Sequence, residues 1–258
     1  MKTLILATSH NEKRVKDGTY CQPIMAGSAL MCGEIPPGYL RDDTGDNISW
    51  KNPHYCELTA MYWAWKNLDA DIIGLCHYRR YFASPSNRKS YLDPAEAEHI
   101  LHLCDVILPS ARNYVIETNR SHYANAHHEK DLKEAEKIIT EMQPEYLDAF
   151  EKRMAMTEGH RFNMMLMRKG LFDEYCSWLF EILFKLEERL DLSDHNRNDQ
   201  RVFGHIAERL LDVWIDARGL RTAELNYIFT GNEHLLRKAV LMAVRKFQGN
   251  IARKISNE

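Results

Sequence analysis

The 258-residue sequence has no run of about 18 apolar residues, so we expect no transmembrane helix. Its first apolar run, in MKTLILATSH, is too short for the core of a signal peptide, and no small-residue cleavage site follows. The six cysteines show no CxxC spacing, which is typical of free thiols in a reducing compartment. A cytoplasmic protein is therefore the expectation.

The sequence also lacks the short motifs that identify several large enzyme classes. It contains no Walker motif, no GxGxxG, no HExxH and no GxSxG. Twelve histidines are present, but the neighbours His127 and His128 would point about 100° apart on a helix. That pair is a poor zinc site, and we expect no metal ligands in the chain.

A large excess of one charge is absent too, because the net charge is only −3. The charge is nevertheless uneven: from Glu233 onward, six Lys and Arg residues stand against two Glu residues. The rest of the chain is therefore acidic, which argues against general nucleic-acid binding. The basic segment suggests contact with an anionic partner. In this segment apolar residues recur every three or four positions: Leu236, Val240, Val244, Phe247, Ile251 and Ile255.

We therefore predict one domain over residues 1–230 and a basic amphipathic helix over 231–258. Such a helix suits a peripheral contact with the inner face of the plasma membrane. The alternative is a terminal helix packed on the body with a solvated basic face. The pattern alone leaves both open.

Strand-like and helix-like segments alternate along the body. TLILATS, at Thr3–Ser9, is typical of a buried strand, and NPHYCELTAMYWAWKNL predicts a helix with Asn52 as its cap and Pro53 in its first turn. The β-rich stretch IIGLCHYRRYF, at Ile72–Phe82, follows directly. This order predicts an α/β fold.

The end of that stretch carries His77, Arg79 and Arg80. Ligands gather at the carboxyl ends of strands in open α/β sheets, and guanidinium groups suit phosphate. Because neighbours on a strand point to opposite faces, we expect only one of the two arginines to bind. The alternative is a salt bridge to the acidic loop RDDTGDNIS. For that loop, a turn and capping network is the alternative to a functional role.

The segment GYLRDDTGDNISWKNPHYCELTAMYWAWKNLDADIIGLCHYRRYF closely resembles the signature block of the DUF4422 family. RNYVIETNRSHYANAHHEKDL, FNMMLMRKGLFDEYCSWLFEIL and RVFGHIAERLLDVW are similar to its later blocks, so the resemblance covers about residues 3–225. The family occurs in capsule, exopolysaccharide and O-antigen gene sets. The resemblance implies a single GT-A-like (Rossmann-like) domain, with a mixed central sheet flanked by helices.

The resemblance also implies a glycosyltransferase that uses a UDP-sugar as donor and a lipid-linked or oligosaccharide acceptor. Some family members are assigned galactofuranosyl transfer from UDP-galactofuranose, so a galactofuranosyl or galactosyl donor is expected in lipopolysaccharide or capsule synthesis. The alternative is a non-catalytic carbohydrate-binding or scaffold protein of a polysaccharide assembly complex.

Residue roles follow from the resemblance together with the pattern. A general base is expected at Asp43 and Asp46, with Asp199 and Glu208 as alternatives. The residues expected at the nucleotide and diphosphate are Thr8, His10, Asn47, His77, Arg79 and Arg80. Those expected at the sugar and acceptor are His122, His127, His128, Asn163 and Asp199.

A GT-A enzyme usually holds a divalent cation with a DxD motif at a strand end. Here Asp69 and Asp71 stand at the beginning of their strand. We therefore expect the arginines to take the place of the metal and the reaction to need no cofactor, with Mn²⁺ or Mg²⁺ as the alternative.

Overall fold

The computed structural model describes residues 1–10 and 13–231 of the chain. The predicted amphipathic helix over 231–258 falls almost wholly outside these residues, so that helix and the domain boundary before it stay predictions. No helix in the described ranges is long and apolar enough to cross a bilayer.

A mixed sheet forms the centre of the described body. The strands, in chain order, are β1 (Thr3–Ser9), β2 (Cys21–Met25), β3 (Leu40–Arg41), β4 (Ile72–His77), β5 (Arg80–Phe82), β6 (Val106–Pro109), β7 (Arg112–Asn113), β8 (Glu158–Gly159), β9 (Met165–Arg168), β10 (Thr222–Leu225) and β11 (Tyr227–Phe229). The main sheet has the order β10-β6-β9-β4-β1-β2-β3; β5 pairs with β4 and β11, and β7 pairs with β8. Strand β9 runs antiparallel to β4 and β6, whereas β1, β2 and β4 are parallel.

Helices cover both faces of this sheet. They are α1 (Asn52–Tyr55), α2 (Leu58–Asn67), α3 (Pro94–Leu101), α4 (Asn119–Ala126), α5 (Glu129–Met142), α6 (Leu147–Ala155), α7 (Lys169–Arg189) and α8 (Val202–Arg218). The α/β architecture with a mixed sheet is thus confirmed.

Successive strand residues point to opposite faces, which divides the core into two layers. Leu6 and Ile73 belong to the larger layer, with α2, α5, α7 and α8. Ile5 and Ile72 belong to the smaller layer, which α3 covers. Because both faces are buried, the strands read as continuous apolar runs in the sequence.

The predicted helix after Asn52 is broken in two. Cys56 ends α1 with φ 54° and ψ −130°, a backbone conformation that L residues rarely adopt, and α2 begins at Leu58. The sequence predicts one continuous helix here because nothing in its residue types marks the break.

Ile72–Phe82 is a hairpin rather than one strand. The chain leaves β4 at His77, turns at Tyr78 and Arg79, and returns as β5 with Arg80 paired to His77. The premise of an uninterrupted strand, on which the expectation of a single binding arginine rested, is therefore wrong.

Gly74 provides a test of the packing between the central strands. It pairs with Leu166 across β4 and β9, and a Cβ at this position would lie 2.5 Å from Leu166 Cγ and 3.3 Å from Ile5 Cγ2. We expect Gly74→Ala to lower the free energy of unfolding by about 1–3 kcal/mol, because the core would be overpacked. Urea unfolding measures this, with Gly33→Ala as the control because nothing lies within 4 Å of its Cβ position. Equal unfolding midpoints for the two variants would contradict the prediction.

Candidate functional site

A cavity of about 870 Å³ opens at the carboxyl ends of β1 and β4. Three parts of the chain form it: the strand ends with the following hairpin, the connection around α1, and the connection that leads into α8. Among the residues that line it are Thr8, His10, Cys56, Glu57, His77, Arg79, Arg80, Phe162, Arg197, Arg201 and Glu208. The structure therefore brings together five of the six residues that were expected at the nucleotide.

The floor of the cavity is the junction of β1 and β4, where Thr8 and His77 are direct partners. Thr8 is buried, and its Oγ1 donates to the carbonyl of Cys76 at 3.1 Å and lies 3.3 Å from His77 Nδ1. The backbone N–H of Tyr78 donates to the carbonyl of Thr8 at 2.8 Å, which anchors the hairpin turn. The parallel pairing of β1 and β4 thus fixes the position of the turn that carries Arg79 and Arg80.

The lining is rich in arginine. Arg79 and Arg80 come from the hairpin, and Arg197 and Arg201 from the connection between α7 and α8. The Arg79 guanidinium lies 5.3 Å from the Tyr78 ring centre, and that of Arg80 lies 4.2 Å from the Phe162 ring centre. Aromatic faces hold both guanidinium groups at the cavity.

The pKa of His10 reports the electrostatics of this cavity. It is lowered by partial burial and then by the positive charges of Arg201, Lys13 and Arg79. The same charges favour a bound anion, because a cleft lined by one sign of charge attracts the other.

A strained turn forms one side of the cavity. Phe162 and Asn163 have φ values of 76° and 51°, in the left-handed region that non-glycine residues seldom occupy. His77 Nε2 contacts the carbonyl of Phe162, and Glu208 Oε1 accepts the backbone N–H of Phe162 at 3.1 Å. Such strain persists only where surrounding contacts impose it, and it clusters at functional sites.

Two carboxylates line the cavity in the described part of the chain, Glu57 and Glu208. Glu57 Oε1 accepts from Asn163 Nδ2 at 2.7 Å, which places the predicted sugar contact Asn163 beside this acid. For Glu208, an alternative base, the position next to Arg209 in the sequence predicts an ion pair with that arginine as the non-catalytic role. Arg209 instead donates to the carbonyl of His205 at 2.6 Å and lies over the Tyr123 ring.

Cys56 is the cysteine at this site, and it is a thiol. Burial, followed by the negative charge of Glu57, raises its pKa to about 11. Its Sγ lies 3.1 Å from Arg201 Nε, whose positive charge acts in the opposite direction. A thiol with this pKa is a weak nucleophile at neutral pH.

The acidic loop supports the cavity wall and does not face the cavity. Asp42 is fully buried and accepts the backbone N–H groups of Gly27 and Ser28, each at 2.9 Å. Gly27 has φ 74°, and a Cβ there would lie 2.7 Å from Asn52. The loop thus fixes a turn against which Asn52 packs.

Asp43, Asp46 and Asn47, which were expected in the site, do not line the cavity. Arg41 donates to both oxygens of Asp43, at 2.9 and 2.6 Å. Asp46 accepts from Tyr62 Oη at 3.2 Å, and Asn47 Nδ2 donates to the carbonyl of Gly45 at 3.0 Å. These contacts form the turn network that Sequence analysis gave as the alternative to a functional role of the loop. In this network the loop acids bind neighbouring residues.

Four of the five residues expected at the sugar and acceptor form a separate cluster between α4, α5 and the start of α8: His122, His127, His128 and Asp199. His122 stacks on Tyr114 at 3.9 Å, and its pKa is lowered to about 3 by burial and then by the charge of Arg209. His127 Nδ1 lies 2.9 Å from Asp199 Oδ1, and His128 Nε2 lies 3.6 Å from Asp199 Oδ2. Asp199 is adjacent to Asn198 and Gln200, both of which line the cavity.

The donor set at the cavity does not fit the usual cation of a GT-A enzyme. Asp69 and Asp71 lie at the far end of β4, where Asp71 accepts the backbone N–H of Lys2 at 2.7 Å. Glu57 and Glu208, the lining acids among the described residues, already accept hydrogen bonds from the strained turn. No catalytic step is assigned to a metal here.

Sequence reasoning missed Glu57, Cys56, Arg197 and Arg201 and set Glu208 aside. These residues come from segments that are far apart in the chain, and no spacing pattern connects them. Arg201 lies two residues after Asp199 in NDQR, so that segment did contain a usable signal.

Comparisons with known proteins give the family and a related solved structure. A family model described as a domain of unknown function, DUF4422, matches residues 4–219. A solved structure described as the bifunctional glycosyltransferase WbbM in its apo form is 32% identical, with a TM-score of 0.81. The match covers 90% of this chain and 46% of that chain, so this chain spans less than half the length of its relative. No curated protein matches the chain.

The family model extends from β1 to the end of α8, and three of the four blocks that carried the resemblance contain residues that line the cavity. The resemblance is therefore confirmed, and the chain belongs to the DUF4422 family.

Proposed function

We propose that the protein is a glycosyltransferase that moves a hexosyl group from a UDP-sugar to a glycan acceptor in bacterial surface polysaccharide synthesis. The observation that carries this proposal is the combination of arginines and carboxylates in one cavity at the carboxyl ends of β1 and β4. Sugar transfer needs both, since the leaving group is an anion and the acceptor hydroxyl must lose a proton.

The arginines would bind and stabilise the departing diphosphate. Arg79 and Arg80 present guanidinium groups at the turn that follows β4, and Arg201 approaches from the start of α8. Charge-assisted hydrogen bonds from such groups strengthen as negative charge develops on the leaving oxygen. Thr8 and His10, at the end of β1, are then proposed to contact the uridine.

Glu208 is proposed as the general base. Its Oε1 accepts from the Phe162 backbone, which holds the carboxylate at the cavity wall. Glu57, oriented by Asn163, is proposed to bind sugar hydroxyls. Asp43 and Asp46 stay an untested alternative for the base, with weaker support because their partners are in the turn network.

The acceptor side has less structural support. His122, His127, His128 and Asp199 stay predicted acceptor contacts, since they lie next to the lining and not in it. The similarity to WbbM, a bifunctional glycosyltransferase, supports the class of reaction. A galactofuranosyl or galactosyl donor, a lipid-linked or oligosaccharide acceptor and a membrane contact of the basic tail are proposed from the family resemblance and from the sequence of that tail.

A donor panel tests the proposal directly. The full chain is incubated with UDP-galactofuranose, UDP-galactose and UDP-glucose, with and without EDTA, and released UDP is measured. We expect one donor to be hydrolysed well above a heat-inactivated control, at a similar rate in EDTA. Absence of UDP release from every donor, together with absence of UDP binding, would contradict the proposal and favour the non-catalytic alternative.

A further inference from the structure

Two histidines from distant parts of the chain stack face to face beside an exposed acid. His128 lies between α4 and α5, and His195 lies between α7 and α8. Their ring centres are 4.2 Å apart with an interplanar angle of 20°. His128, Asp194 and His195 each offer one possible metal-binding atom, and these three atoms lie within 4.8 Å of one another.

A buried carboxylate orients one of these histidines. His195 Nε2 lies 2.8 Å from Asp131 Oδ2, and both side chains are buried. His195 Nδ1 then faces Asp194 Oδ1 at 2.7 Å. Metal-binding histidines in proteins usually have this arrangement, with one ring nitrogen held by a carboxylate and the other directed at the metal.

The ligand atoms lie 2.7 Å apart for His195 Nδ1 and Asp194 Oδ1 and no more than 4.8 Å apart for the other pairs, a range that includes the spacing of a tetrahedral site. Bonds of 2.0–2.1 Å to a tetrahedral Zn²⁺ place neighbouring ligand atoms about 3.3 Å apart. Asp199 lies outside this group of three, because its Oδ2 is 3.6 Å from His128 Nε2 but accepts from Asn196, so the fourth ligand is a water molecule. Lys130 Nζ now lies 2.8 Å from Asp194 Oδ2, but that ion pair is exposed, and exposed pairs contribute little.

We propose that His128, Asp194 and His195 bind one Zn²⁺, with water as the fourth ligand. Two imidazoles with a carboxylate oxygen are a donor set that suits zinc. The metal joins the start of α5 to the connection between α7 and α8, which also carries Arg197 and Arg201 of the cavity lining. Its role is to stabilise that connection.

Calorimetric titration of Zn²⁺ into the chelator-treated full chain tests the site. We expect one tightly bound zinc per chain, and at least tenfold weaker binding in His128→Gln and in Asp194→Asn. Two matched controls should bind like the parent: Asp191→Asn, an exposed acid of the same connection, and His99→Gln, an exposed histidine of α3. No binding heat above the buffer control, or equal affinities in all four variants, would overturn the proposal.

A second measurement covers the case in which a ligand variant fails to fold. Zn²⁺ should raise the melting temperature of the chelator-treated parent, because binding to the native state alone stabilises it. Co²⁺ should give the visible absorption of a tetrahedral site. An unchanged melting temperature together with an octahedral Co²⁺ spectrum would also overturn the proposal. Neither readout depends on turnover, so this site and the proposed transferase activity can fail separately.

Discussion

Glu208→Gln is expected to reduce turnover by about 10²–10⁴-fold while leaving UDP affinity unchanged, because general-base catalysis contributes a factor of that size. Glutamine keeps the shape of the side chain, and its amide oxygen can still accept the backbone N–H of Phe162. What it loses is the ability to take a proton from the acceptor hydroxyl. Steady-state kinetics with the best donor, together with UDP calorimetry, separates this effect from a binding defect.

Asp46→Asn is the matched comparison for this experiment. Asp46 is the base expected from the sequence, yet its carboxylate accepts from Tyr62 and does not line the cavity. We expect this variant to keep most of its turnover. A large loss in Asp46→Asn, combined with an active Glu208→Gln, would return the base to the acidic loop.

Arg79→Ala and Arg80→Ala are each expected to weaken UDP binding roughly ten- to a hundredfold in the presence of EDTA. Hydrogen bonds to charged groups contribute about 1.5–3 kcal/mol, and each 1.4 kcal/mol corresponds to a factor of ten in affinity. Both arginines should show the effect, since the hairpin places both at the cavity. Lysine at either position should give an intermediate loss, because it keeps the charge but not the planar fork.

Arg41→Ala controls for the removal of a surface arginine. Arg41 pairs with Asp43 outside the cavity, so its loss should leave UDP affinity unchanged. Calorimetry on all the arginine variants in EDTA gives the comparison. Unchanged affinity in both Arg79→Ala and Arg80→Ala, or UDP binding that requires a divalent cation, would contradict the arginine clamp.

Local signals in the sequence were sufficient for most of the secondary structure. Thr3–Ser9 is a strand with the predicted bounds. Asp93 caps α3 by accepting the backbone N–H of Glu96, with Pro94 in the first turn, and Gly219 ends α8 in the left-handed conformation. These features depend on residues within about one helical turn of each other, so residue type and spacing determine them.

The break between α1 and α2 could not be predicted in the same way. A positive φ at Cys56, and likewise at Phe162 and Asn163, is disfavoured by the residue itself. Contacts from distant segments hold two of these conformations, as with Glu208 at Phe162 and Glu57 at Asn163. Local propensity opposes the observed backbone, and tertiary contacts override it.

The sequence by itself determined that β1 and β4 are buried strands of an α/β sheet, that β1 ends near Thr8, and that His77, Arg79 and Arg80 follow the end of β4. Apolar runs and the order of elements carry that information. Only the tertiary structure decided which acids accompany the arginines. The loop acids satisfy neighbours such as Arg41 and Tyr62. Glu57, in the turn between α1 and α2, and Glu208, on α8, meet only when the sheet and helices pack. A carboxylate's partners depend on distances in space, and those distances are set by the packing of the whole domain.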